Sequence, residues 1–200
     1  SRGLGDVYKR QGLHSWIAAH KSDDADLMGR AFTQGDVVTT MIKCAHGETI
    51  LLIHDTTLPR PYSRGLRIQG TKGAWMEDNH SLYIEGVSEP HTWEPTDKYR
   101  ETYEHPLWKD YQAKGVRGGH HGMDYLVFRA FVESVKNGTG VPIDIYDAAA
   151  WMAVTCLSEE SIALGGAPVA FPDFTGGEWI HRRPGPVSKY ALDRICGELF

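Results

Sequence analysis

The 200-residue sequence predicts an α+β fold, a largely antiparallel open sheet with helices packed on one face. Three observations predict it: β-branched runs paired around a glycine-bearing turn, later strand-like runs joined too tightly for parallel crossovers, and two long helical patterns in the second half. The first run, residues 37–44, reads Val-Val-Thr-Thr-Met-Ile-Lys-Cys, and the second, residues 48–55, reads Glu-Thr-Ile-Leu-Leu-Ile-His-Asp. Ala45-His46-Gly47 lies between them, so the pair predicts an antiparallel hairpin. Short strands are expected at 64–69, 73–77 and 81–86, because Gly-Thr-Lys-Gly and Glu-Asp-Asn-His between them are turn compositions. A meander follows.

The helical patterns come next. Over residues 123–136, Met123, Leu126, Val127, Ala130, Phe131, Ser134 and Val135 recur at steps of three and four, and Asn137-Gly138 ends the pattern. This stripe is expected to pack on something apolar. A second helix, about 144–164, carries Ala148, Trp151, Met152, Thr155 and Cys156 on one side, with Ser158-Glu-Glu-Ser161 in its far half and Gly165-Gly166 as its stop. The sheet face opposite the helices is left for a partner.

Composition excludes several classes of function. With 41% hydrophobic and 24% charged residues the chain has the balance of a folded domain, and no Pro/Ser/Gly-rich linker divides it. The net charge of −5 arises from 21 basic and 26 acidic residues that are interspersed, so no cationic stripe is offered to nucleic acid. No apolar run approaches the roughly twenty residues of a membrane span. Cys44, Cys156 and Cys196 are far apart with no CxxC pair, which predicts no metal site and small hydrophobic roles for Cys44 and Cys156. Asn137-Gly138-Thr139 satisfies a glycosylation sequon but is read as a helix stop.

The chemistry-bearing segments are 54–64, His-Asp-Thr-Thr-Leu-Pro-Arg-Pro-Tyr-Ser-Arg, and 118–124, Gly-Gly-His-His-Gly-Met-Asp. Pro59 and Pro61 bracket Arg60, donate no backbone N–H and push the residues before them to extended conformations. Arg60, Tyr62 and Arg64 are thereby presented from a stiff connector. Together with GDVVTTMIKCAHGETILLIHDTTLPRPYSRG (35–65), IQGTKGAWM (68–76), HPLW (105–108), GGHHGMDY (118–125), IDIYDAAAW (143–151) and LSEESIALGGAPVAFPDFTGGEW (157–179), these segments make an ordered series. The series resembles the C-terminal domain of glycoside hydrolase family 109, within the glucose-fructose oxidoreductase-like group, from about Gly12 to Trp179. The family usually has a glycine where His121 stands and a basic residue where Gly176 stands.

The resemblance implies a fragment. The family's nucleotide-binding half precedes this region, and Gly3-Leu4-Gly5 has no preceding strand and no third glycine, so it is not a Rossmann fingerprint. Residues 3–11 resemble a translated sequencing-adapter tail, and residues 1–11 are set aside as non-native, the alternative being a genuine polar amino-terminal segment; residues 12–200 are then the C-terminal substrate and oligomerisation domain of a two-domain enzyme. The family's route implies NAD, held mainly by the absent Rossmann domain. Oxidation of the sugar at C3, elimination, water addition and reduction hydrolyse a terminal α-N-acetylgalactosaminide without net redox change. No paired carboxylates here have the look of an ordinary glycosidase couple, and no catalytic residue is expected within this chain. The alternative is the equivalent domain of an NAD(P)-dependent sugar dehydrogenase or reductase. Expected partners are an amino-sugar glycoside, the Rossmann domain and a second copy across the sheet face.

Three substrate-binding candidates follow, each with a plainer reading beside it. Tyr62 matches the family's substrate-binding tyrosine in RPYS and offers a sugar both a ring face and a hydroxyl; the alternative is packing beside a turn. Arg60 has the donors for a sugar hydroxyl, an acetamide oxygen or a phosphate, and equally for a brace to Asp55. His120, between glycines that admit a close ligand, is read either as a site residue or as part of a helix start. Asp124 is assigned to cap or charge-complement the following helix, Asp144 and Asp147 to the start of the next, and His54 to a structural pairing with Asp55.

Overall fold

A computed structural model describes residues 11–55, 57–115, 118–182, 185–186 and 188–191. In chain order these contain α1 (Gly12–His20), α2 (Ala25–Gly29), β1 (Val37–Lys43), β2 (Thr49–Asp55), β3 (Arg67–Gly70), β4 (Gly73–Met76), β5 (Ser81–Ile84), β6 (Glu94–Pro95), α3 (Asp97–Tyr103), α4 (Pro106–Ala113), α5 (Met123–Asn137) and α6 (Ile145–Ala163). The fold is α+β, and every strand pairing is antiparallel. The strands divide between two sheets, a β1–β2 hairpin and a β3–β4–β5–β6 meander, rather than continuing as one. The Pro59-Arg60-Pro61 connector, short of two backbone donors, separates them. The first ten residues and Cys196 lie outside the described residues, and with them most of the segment set aside as non-native.

By compactness the chain forms two units, one made of the residues up to Arg60 together with Ile145–Ile180, the other of Pro61–Asp144 with the residues from His181 onward. In the first, the hairpin pairs Val37 with Asp55 and Lys43 with Thr49, the register the glycine turn requires. Thr40, buried on β1, donates to Ser158 Oγ on α6 at 2.8 Å. Ser161 Oγ, fully buried, donates to Ala167 O at 2.7 Å, holding the segment that leaves the helix. Asp36 sits before β1 and accepts from the backbone N–H groups of Gln11 and Gly12 at 2.9 Å each, closing the amino end of α1. On β2, Ile50, Leu51, Leu52 and Ile53 are each 44–58% exposed, so both faces of this strand meet solvent in the described chain.

In the second unit the meander is closed by a strand that sequence patterning does not reveal. β6 is only two residues long and contains a proline, and it is held by Glu94 rather than by a long ladder. Glu94 accepts from Lys98 Nζ at 2.7 Å, from Ser88 Oγ at 2.9 Å and from the Tyr99 hydroxyl, which ties β5, β6 and α3 into one corner. These bonds, Lys98 first, depress the Glu94 carboxyl to about 2. α4 opens with Pro106 at its first turn and His105 as its cap, whose Nδ1 accepts from Leu107 N at 3.1 Å. α5 ends at Gly138 in the left-handed region, so Asn137-Gly138 does stop the helix. Its apolar stripe does not find the expected cover within the described chain: Val127, Phe131 and Val135 are 64%, 57% and 64% exposed. Among the described residues no helix is long and apolar enough to cross a membrane.

Candidate functional site

Tyr62 stands on a segment that the second unit holds from below. Glu77, on the β4–β5 turn, receives Arg64 Nε at 3.0 Å and Leu66 N at 3.2 Å, while Leu66 O accepts from Glu77 N at 2.9 Å. The Leu66 amide first, and then Arg64, outweigh desolvation and keep the Glu77 carboxyl below its ordinary range. Ser63 donates to Asp78 and accepts from Gly65 N at 2.8 Å, so the chain is held immediately after Tyr62. Tyr62 itself is 87% exposed and its hydroxyl has no hydrogen-bond partner among the described residues. Among the described residues the packing alternative finds no partner for this side chain. A rigid backbone carrying a free phenol is what a stacking and hydrogen-bonding contact needs, since little order is lost on binding.

Arg60 ends the first unit and is braced. Its Nε lies 3.2 Å from Asp55 Oδ2 and its terminal nitrogen donates to Asp55 O at 3.0 Å, so the arginine folds back over the end of β2. Asp55 thus pairs with Arg60, and the expected His54–Asp55 pairing is not formed; His54 is exposed on β2. Asp55 Oδ1 is buried with no hydrogen-bond partner, which leaves one acceptor of this pair open.

The glycine-rich segment makes a tight 3₁₀ turn, His120–Gly122, directly before α5. His120 and His121 have φ of 49° and 55°, a left-handed conformation that side chains other than glycine rarely adopt. A glycine, which the resemblance implies at the position of His121, would take this conformation without strain. His120 Nδ1 lies 2.9 Å from Asp124 Oδ2 and 3.0 Å from Oδ1. Asp124 forms no side-chain cap on α5 but lies in its first turn, where its charge complements the helix start, and it also holds His120. The imidazole is fixed in direction while remaining 76% exposed, and its other ring nitrogen is available for a hydrogen bond. Gly122, the residue entering α5, has φ 93° and lies against the buried Tyr111. Asp144 faces Arg182 at 3.8 Å, and Asp147 lies in the first turn of α6, both as expected of residues at a helix start.

The structure thus gives Tyr62 and His120 ordered, accessible positions and engages Arg60 with its neighbour. His105 is more than part of a motif: its Nδ1 accepts a backbone bond, so the neutral ring carries its proton on Nε2, which is buried without an acceptor. The only sequence signal for it is the His-Pro pair at 105–106, and histidine is not a usual cap.

The described residues form an α+β chain with an exposed tyrosine and a histidine–aspartate pair at a glycine turn, and comparison with known proteins gives its family. Residues 6–181 match the family model described as glycosyl hydrolase 109, C-terminal domain. The match begins inside the segment 1–11. The chain is 49% identical over 174 residues to an alpha-N-acetylgalactosaminidase of Tannerella forsythia, covering 87% of this chain and 37% of that protein. It is 52% identical over 177 residues to a glycosyl hydrolase family 109 protein of Stenotrophomonas maltophilia, covering 88% and 39%. An alpha-N-acetylgalactosaminidase of Shewanella oneidensis is 41% identical over 160 residues, 76% of this chain and 34% of that one. The chain belongs to glycosyl hydrolase family 109, and it spans less than two-fifths of the length of these relatives.

Proposed function

We propose that this chain is the substrate-side domain of a glycosidase that removes terminal α-N-acetylgalactosamine by the NAD-dependent oxidation–elimination–addition–reduction route. Its relatives bearing that enzyme name, at 49% and 41% identity, support the substrate class. The observation that carries the site is Tyr62, exposed and free at its hydroxyl on a segment pinned by Glu77 and Asp78. Within the second unit, Tyr62 takes the sugar ring and a hydroxyl and His120, directed by Asp124, is a second contact; Arg60, the remaining candidate, holds the end of β2 through Asp55. The described residues do not fit NAD. All their strand pairings are antiparallel, so they contain no strand–helix–strand crossover to place a helix amino end under the pyrophosphate. NAD is accordingly assigned to the Rossmann half of the parent protein. Residues 12–200 are taken as the domain proper, and the exposed apolar β2 surface supports association with a second copy.

The test is turnover by the parent protein of a chromogenic α-N-acetylgalactosaminide, with NAD followed at the same time. Sugar release with no net NADH is expected. Stoichiometric NADH without release of the aglycone would move the domain to the sugar dehydrogenases, the second reading. The 200-residue chain alone is expected to show neither hydrolysis nor micromolar NAD binding by calorimetry; micromolar binding would overturn the division of labour between the two halves.

A further inference from the structure

Within the second unit, α4, α5 and the stretch around Tyr190 enclose a cleft of about 330 Å³. This lies at the small end of ligand-site volumes and suits one sugar-sized ring. Leu107, Leu126 and Tyr125 provide its apolar walls. Tyr125 stacks on the buried Tyr111 at 5.6 Å and 17°, so its ring is held in place while 37% of the residue stays exposed. Lys114, Arg129 and Lys189 bring three cations to the lining. Two are closely matched, Lys114 to Asp110 at 2.6 Å and Arg129 to Glu133 at 2.8 Å. Lys189 is not: it lies 3.7 Å from the same Glu133 oxygen that already accepts from Arg129 and, at 3.2 Å, from the Tyr190 hydroxyl. Desolvation acts to raise the Glu133 carboxyl, yet Lys189, Tyr190 and Arg129 hold it below its ordinary range, so it remains an anion shared among them. Among the described residues, three cations against two carboxylates leave one positive charge at the cleft.

We propose that this cleft is a ligand site, distinct from the Tyr62 surface, for a monosaccharide-sized ring bearing one anionic group, a carboxylate or a phosphate. The tyrosine and leucine walls meet the apolar face of the ring, and the phenol, ammonium and guanidinium groups meet its hydroxyls. Lys189, loosely held and 5.1 Å above the Tyr190 ring, turns to the anion. An aromatic acid would satisfy the walls and leave most of these donors unmatched. The proposal does not depend on the glycosidase reading.

The 200-residue chain, with its amide resonances as reporters, is titrated with glucuronate, glucose 6-phosphate, glucose and inorganic phosphate. Expected are low-millimolar binding of the two acidic sugars, shifts at Tyr125, Leu126 and Tyr190, and at least tenfold weaker binding of glucose and of phosphate alone. Lys189→Gln, at an exposed position, should weaken the acidic sugars about tenfold, the size of a lost charge-assisted bond, and leave unfolding unchanged. No shift at the cleft up to saturating sugar, equal shifts with glucose, phosphate binding as tightly as its sugar ester, or undiminished binding by Lys189→Gln would each overturn it.

Discussion

Replacing Gly122 with alanine tests how the His120 turn is held. The added methyl would stand 2.3 Å from Tyr111 Cε1 and 2.4 Å from its hydroxyl oxygen, and the backbone there has φ +93°. A side chain in the positive-φ region costs about 1–2 kcal/mol, and forcing a methyl against a buried ring costs about 1–3 kcal/mol more. Tyr111 has little room to yield, being buried and stacked with Tyr125. The expected loss in urea unfolding is therefore about 2–5 kcal/mol. Gly138→Ala supplies the control, because its φ of +62° imposes the backbone cost while nothing lies within 4 Å of the added methyl. Its loss should stop at about 1–2 kcal/mol. Tyr111→Leu, which removes the colliding ring atoms and hydroxyl, should rescue Gly122→Ala by the difference between the Gly122 and Gly138 losses, read as the coupling energy of the double-mutant cycle. Equal losses at Gly122 and Gly138, or full additivity with Tyr111→Leu, would refute the close-approach explanation.

Three further outcomes are expected. In the parent enzyme Tyr62→Phe should lower kcat/KM by the worth of one neutral hydrogen bond, about 0.5–1.5 kcal/mol, with the melting temperature unmoved; lost stability with intact turnover would remove Tyr62 from the site. Asp36→Ala leaves the Gln11 and Gly12 amides without their acceptor and should cost about 1–2 kcal/mol, with amide exchange rising first in α1; unchanged protection there would sink the capping role. Glu94, depressed in the folded chain, stabilises its corner fully above its unfolded value near 4.5, and that contribution is lost as pH falls through about 2. A carboxyl titration by NMR should find the midpoint near 2, with the β6–α3 amides protected at about pH 4; a midpoint at about 4 or above would contradict the three-donor arrangement.

What was legible in the sequence was local. The β1–β2 hairpin follows from β-branched runs across a glycine turn, and α5 and α6 from long periodic runs closed by Gly138 and by Gly165-Gly166, where positive φ favours the residue present. The missed elements lack such signals. β6 has two residues, one a proline; α3 and α4 are short, and α4 is capped by a histidine. The division into two sheets depends on which strands find one another, which alternation within a strand does not encode. At the candidate site, Tyr62 was named through its resemblance to the family's RPYS motif, whereas the Arg60–Asp55 brace was open to reading from the residues themselves, five positions apart across a proline. The His120–Asp124 pair was not foreseen, because the left-handed turn that points the imidazole at Asp124 rests on Gly122 approaching Tyr111, eleven residues earlier in the chain.

The hairpin has a consequence for how such a protein is made. A two-stranded sheet has two edges, each with unpaired backbone groups, and Ile50-Leu51-Leu52-Ile53 adds an uncharged apolar run exposed on both faces. Whichever surface reaches it first determines its fate. Closure by the rest of the same polypeptide proceeds at a rate independent of concentration, whereas strand addition between chains accelerates as chains accumulate. Slow synthesis, low temperature and early access to a holdase therefore favour the soluble product, and rapid overproduction favours inclusion bodies seeded at β2.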